Sequence, residues 1–93
     1  MDEATAMLRQ VLHKQTEQLG PMHMDTLLTK ADLGGHLVLS SESADYANEG
    51  MQLLQESVDG LNAECGPQHP MTRHYRSKLA SLREGFASRL TDA

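Results

Sequence analysis

The stretch Leu19-Gly20-Pro21-Met22-His23-Met24-Asp25-Thr26 returns forty-six positions later as Cys65-Gly66-Pro67-Gln68-His69-Pro70-Met71-Thr72. Fixed-period self-similarity constrains a chain more than any single residue does, because a unit that cannot bury its apolar face alone must stack on its neighbour. The match runs beyond the two turns. At the same offset Ala4 falls on Gly50, Met7-Leu8 on Leu53-Leu54, Leu12 on Val58, Lys30 on Arg76, Leu33 on Leu79 and Gly34 on Ala80.

Apolar spacing shows what the repeated unit is. Over residues 2–19, Ala4, Met7, Leu8, Val11 and Leu12 fall three and four apart, which predicts an amphipathic helix. Gly20-Pro21 ends it, since Gly accepts a left-handed cap and Pro cannot continue the hydrogen-bond ladder. A second helix is predicted over 24–39, with Asp25 favoured by the dipole of the first turn and Leu27, Leu28, Ala31, Leu33, Gly34, Leu37 and Val38 forming its apolar band. The polar run Ser40-Ser41-Glu42-Ser43 reads as a loop in which Ser41 or Ser43 can cap the next helix. That third helix, over 44–64, carries Ala47, Met51, Leu54, Val58 and Leu61 in unbroken steps of four and three. The fourth, over 70–90, starts at Pro70, a favoured first position, and carries Met71, Tyr75, Leu79, Leu82, Phe86 and Leu90. The unit is thus a helix pair. Gly34, Gly50 and Ser57 are small where paired helices would cross.

Composition agrees with a single small all-α domain. The chain has 93 residues, 39% of them apolar, and its three aromatics are Tyr46, Tyr75 and Phe86, so the core must be built from Leu, Met, Val and Ala. A net charge of -5 argues against non-specific nucleic-acid binding, which needs clustered Lys and Arg. Cys65 is alone, so an intrachain disulfide is impossible and a reducing, cytoplasmic setting is the simplest expectation. Charged residues at Asp2, Glu3, Arg9 and Lys14 and the short apolar runs predict neither a signal peptide nor a membrane span.

Chemistry-bearing residues do not assemble into a site by spacing. Cys65 with His69 is the nearest approach to a nucleophile and base, but Cys65 stands where the first repeat has Leu19 and reads as a buried apolar substitute. Among His13, His23, His36, His69 and His74 no pair has the spacing of three or four that puts two metal ligands on one helical face. His23 and His69 recur in the turns, which points to helix entry. The six methionines read as core filler or adaptable surface. No phosphate loop, catalytic carboxylate pair or nucleotide fingerprint is present. No cofactor, metal or enzymatic activity is expected.

The pattern Leu-Gly-Pro-x-His-x-x-Thr, followed by Leu-(Gly/Ala) in the next helix, resembles the tetratricopeptide repeats of the kinesin light chain type. Gly20, Pro21, His23 and Thr26, repeated as Gly66, Pro67, His69, Pro70 and Thr72, carry the likeness, which covers nearly the whole chain. It implies a right-handed solenoid segment of antiparallel helix hairpins. Asp32-Leu33-Gly34 and Lys78-Leu79-Ala80 occupy the family's Asn-Leu-Ala sites, so the groove position that is Asn in the family is Asp32 and Lys78 here. The repeat is also longer than the usual unit of this type, about forty-two residues against roughly 34 in the ordinary form, and the Ser40 to Asp45 loop is where the excess of about four residues is expected.

The resemblance implies an inner groove lined by Leu28, Ala31, Asp32, Gly35 and Val38 from the second helix and His74, Ser77, Lys78 and Ser81 from the fourth. Gly35, Ser77 and Ser81 would leave room for an extended peptide or a helix, and Lys78 could meet a carboxylate. The register leaves one complete pair flanked by two half pairs. An uncovered last helix would expose Tyr75, Leu79, Leu82 and Phe86, a surface expected to form a homodimer or to join a longer array. Charge is uneven, with six acids and no base over 42–64 and five bases against Glu84 over 73–89. Adjacent helices can balance such runs, or the runs can steer head-to-tail docking. The expected function is a scaffold or protein-protein interaction module that binds a partner's peptide or helix. Two alternatives are a self-assembling structural subunit and a helical accessory region of a larger enzyme.

Overall fold

The computed structural model describes residues 2–40 and 43–92, with side chains described as far as Gly85. Among these residues the chain is all-helical: α1 (Glu3–Leu19), α2 (Met24–Ser40), α3 (Ala44–Cys65) and α4 (Pro70–Asp92). The elements expected from apolar spacing are all present, with ends within two residues. Of the Ser40 to Asp45 loop in which extra length was expected, positions 41 and 42 lie outside the described residues, with α2 ending at Ser40 and α3 beginning at Ala44.

The two repeated turns are built from the same bonds. Gly20 and Gly66 have φ of 93° and 92°, a region that costs a side chain dearly, and each donates its N–H back to a helical carbonyl, Thr16 and Asn62, at 3.1 Å. His23 Nδ1 then accepts the N–H of Asp25, and His69 Nδ1 that of Met71, both at 3.1 Å. The turn histidines therefore satisfy donors that a helix start would otherwise leave open. At the beginning of α1 the Asp2 carboxylate does the same for the Thr5 N–H at 2.7 Å.

Packing follows the apolar stripes. Leu27, Ala31, Leu54, Val58, Leu61, Tyr75 and Leu79 form one buried cluster, with Met24, Leu28, Met51, Cys65, Met71 and Leu82 against its edge. Helix α2 is central, touching α1, α3 and α4, and packs most extensively on α3, where Gly34 and Gly50 face each other. The shortest dimension of the molecule is 14 Å, about one interaxial spacing plus the width of a helix backbone, so the helices stack in two layers. Long-range ion pairs fasten the layers. Arg9 of α1 donates two hydrogen bonds, of 2.8 and 3.0 Å, to the Glu49 carboxylate of α3, and Lys30 Nζ lies 3.3 Å from Glu56. Part of the acidic run in α3 is thus balanced inside the chain.

One expectation changes with this packing. Tyr75 and Leu79 are 7% and 5% exposed and belong to the central cluster. They cannot serve as an open oligomer surface, because the helical stripe that carries them is the one α4 turns towards α2 and α3. Leu82 is half-buried at the cluster edge. Phe86, expected on the same surface, lies outside the described side chains.

Candidate functional site

Contact between α2 and α4 brings together residues more than forty positions apart. Tyr75 Oη donates a hydrogen bond of 3.0 Å to Asp32 Oδ1. The His74 ring meets Tyr75 edge-on, 4.8 Å between centroids at 82°. From the next turn of α4, Lys78 lies over the same ring with Nζ 6.0 Å from its centroid, at the outer limit of a cation–π contact. It then reaches across to α2, where a Cβ added to Gly35 would stand 3.2 Å from both Cε and Nζ. The absence of a side chain at Gly35 is what lets the ammonium group approach the α2 backbone. Asp32, Gly35, Tyr75 and Lys78 are one constellation.

Its electrostatics are those of a half-dry surface. Burial, reinforced by the Asp32 carboxylate and the hydrogen bond to it, pushes the Tyr75 phenol up to about 12, so it remains a donor throughout the physiological range. Asp32 is itself exposed, leaving its second oxygen open to solvent, and Lys78 has no carboxylate within salt-bridge distance among the described residues. An anion and a cation therefore flank Tyr75, the anion bonded to its hydroxyl and the cation over its ring face.

The remaining groove residues divide by burial. His74, Ser77 and Ser81 are exposed on α4, and Leu28 is half-buried on α2. Ala31 and Val38 are 0% and 2% exposed, consumed by the core, so they offer a ligand no surface. Gly35 is buried beneath Lys78. Tyr75, expected from its apolar stripe to face outward, is instead buried in the central cluster with its hydroxyl on Asp32. Its place one residue after His74 and three before Lys78 was the available signal, since positions i and i+3 share a helical face.

Other candidates stay apart or structural. Cys65 is a half-buried free thiol beside the core, and among the described residues no group of three His, Cys, Asp or Glu side chains could hold a metal ion. No described helix is long and apolar enough to cross a membrane. No protein-family model, curated protein or solved structure matches the chain.

Proposed function

We propose that the chain is a non-catalytic protein-protein interaction module of the tetratricopeptide-like kind, working in a reducing cytoplasmic setting and holding a peptide or helix of a partner protein along the α2–α4 groove. One observation carries the reading: Asp32 and Lys78, which stand at the same position of successive repeats, meet on one surface around Tyr75. An extended segment running across them could donate a backbone N–H to the open Asp32 oxygen and set a carboxylate against Lys78, while Ser77 and Ser81 leave space and supply hydroxyls. Backbone recognition of this kind gives affinity, and the charge pair gives direction.

Selection of a displayed peptide library against the whole chain tests the reading. Enriched peptides should lose about tenfold or more in affinity for Lys78→Ala and for Asp32→Ala, while Gln52→Ala, at an exposed position on α3, leaves them unchanged. Peptides that bind all three variants equally would overturn it.

A further inference from the structure

The repeat puts two equivalent clefts on the molecule. Arg9, Leu12, His13, Thr16 and Leu33 line a cleft of about 310 Å³, and Leu53 of α3 closes one wall. The same five positions advanced by forty-six, from Gln55 to Leu79, line a second cleft of about 340 Å³ between α3 and α4, with Arg76 and Arg83 at its rim. Helix α3 is seated on the first through four contacts. Glu49 holds Arg9, Gly50 packs on Gly34, Leu53 forms a wall of the cleft, and Glu56 pairs with Lys30.

The helix that corresponds to α3 in the repeat is α1. Shifted back by forty-six, Glu49, Gly50, Leu53 and Glu56 become Glu3, Ala4, Met7 and Gln10. That face of α1 is open, with Glu3, Ala4 and Gln10 exposed, Met7 59% exposed and Val11 44% exposed. The receiving positions, Arg76 for Lys30 and Ala80 for Gly34, are exposed on α4, and Arg83 is exposed while donating to Gln55, the counterpart of Arg9. We propose that α1 of one copy seats on the α3–α4 cleft of a second copy, as α3 seats on the α1–α2 cleft within one chain. Met7 closes one wall of the cleft, Ala4 lies against Ala80, the Glu3 carboxylate faces the Arg83 guanidinium and the Gln10 amide faces Arg76.

This contact is head-to-tail, so it repeats from copy to copy and does not close as a two-fold dimer would. It is looser than the α2–α3 contact within one chain on two counts. Ala4 and Ala80 hold apart helices that Gly50 and Gly34 let touch, and Lys14 would face Arg73 where Gly60 faces Leu27. The second difference supplies a test that a two-fold α1 pairing answers with the opposite sign. Turning an antiparallel α1 on its own copy sets Lys14 against Glu3, so Lys14→Glu would weaken that dimer. It strengthens the head-to-tail contact through Arg73.

Sedimentation velocity on the whole chain up to about 1 mM, where weak contacts become populated, should show mass that grows past the dimer with concentration. Lys14→Glu should tighten the association by about threefold to tenfold. Met7→Glu and Ala80→Arg, both at exposed positions and checked for retained helicity, should each be monomeric alone. Mixed, they should form a dimer that stops at two, since one keeps its cleft and the other its α1 face. A wild-type chain that stays monomeric, an Ala80→Arg chain that still associates, or a Lys14→Glu chain that associates less would each overturn the proposal.

Discussion

Gly34 and Gly50 hold α2 and α3 in backbone contact: a Cβ on Gly34 would lie 2.7 Å from the Gly50 carbonyl oxygen, and one on Gly50 would lie 2.5 Å from the Gly34 carbonyl oxygen. Both clashes are with backbone, which cannot swing aside as a side chain can. Gly34→Ala or Gly50→Ala should therefore destabilise the fold by about 1–3 kcal/mol, the usual cost of overpacking, although Ala is the better helix former. Gly85, also helical, has nothing within 4 Å of its Cβ position. Gly85→Ala should raise stability by about 0.5–1 kcal/mol. Thermal melts decide, since about 1 kcal/mol moves the midpoint by roughly 4–8 °C in a chain of this size; equal shifts for Gly34→Ala and Gly85→Ala would refute the close crossing.

Thr26 and Thr72 fill the same place in the two repeats and are both fully buried, yet their hydroxyls differ. Thr72 Oγ1 donates to the Leu61 carbonyl at 3.3 Å, whereas Thr26 Oγ1 has no partner among the described residues. Replacing Thr72 by Val, of nearly the same shape, should cost about 1 kcal/mol, a typical net hydrogen bond. The same change at Thr26 removes an unpaired buried hydroxyl and should be neutral or stabilising. Denaturant midpoints of the two variants give the comparison, and a larger loss for Thr26→Val would contradict the bonding described.

These positions also mark how far the sequence could be read. The Gly-Pro-x-His turns and the three-four spacing contain the four helices in full, because both are local and each residue's neighbours lie within a turn. The small crossings at Gly34 and Gly50 were legible too, through the offset that aligned them with Ala80 and Ala4. What the spacing misassigned was Tyr75 and Leu79, both buried in the core. A wide apolar stripe on α4 does not say which of its residues meet α2 and α3, so Tyr75 and Leu79 look like open surface until those contacts are known. The Arg9–Glu49 pair had no signal at all, since forty residues separate its members and no local rule joins α1 to α3. The repeat register put Asp32 and Lys78 at equivalent positions, but face geometry alone could not show that Ala31 and Val38, expected to line a groove, were already used by the core.

Low pH should loosen the start of α1. Thr5, through its backbone N–H first and its side chain second, and then His36 hold the Asp2 carboxylate down to about 2 from an ordinary 3.8. A carboxylate with a depressed folded value contributes stability that is complete above the ordinary value and is lost as pH falls through the folded one. The penalty of Asp2→Ala, measured as the gap in melting midpoint from wild type, should hold steady from neutral pH to about pH 4 and shrink between 3.8 and about 2. A gap that stays constant down to pH 2 would mean that the cap does not depend on the charge.

High pH probes the groove itself. Tyr75 and Tyr46 are the two tyrosines, so Tyr46→Phe leaves the groove phenol as the sole absorbing group in an ultraviolet titration. In that background its midpoint should lie near 12, against an ordinary 10.0, because burial first and the Asp32 charge second oppose the phenolate. Adding Asp32→Asn removes the charge but keeps the burial, so the midpoint should fall part of the way back. The raised value also favours folding only while the phenol stays protonated. That contribution is intact below pH 10 and is lost as pH climbs towards 12. Circular dichroism at each point separates ionisation of the folded chain from that of an unfolded one. A midpoint near 10 with helicity intact, or one indifferent to Asp32→Asn, would break the link between Tyr75 and Asp32 on which the proposed groove rests.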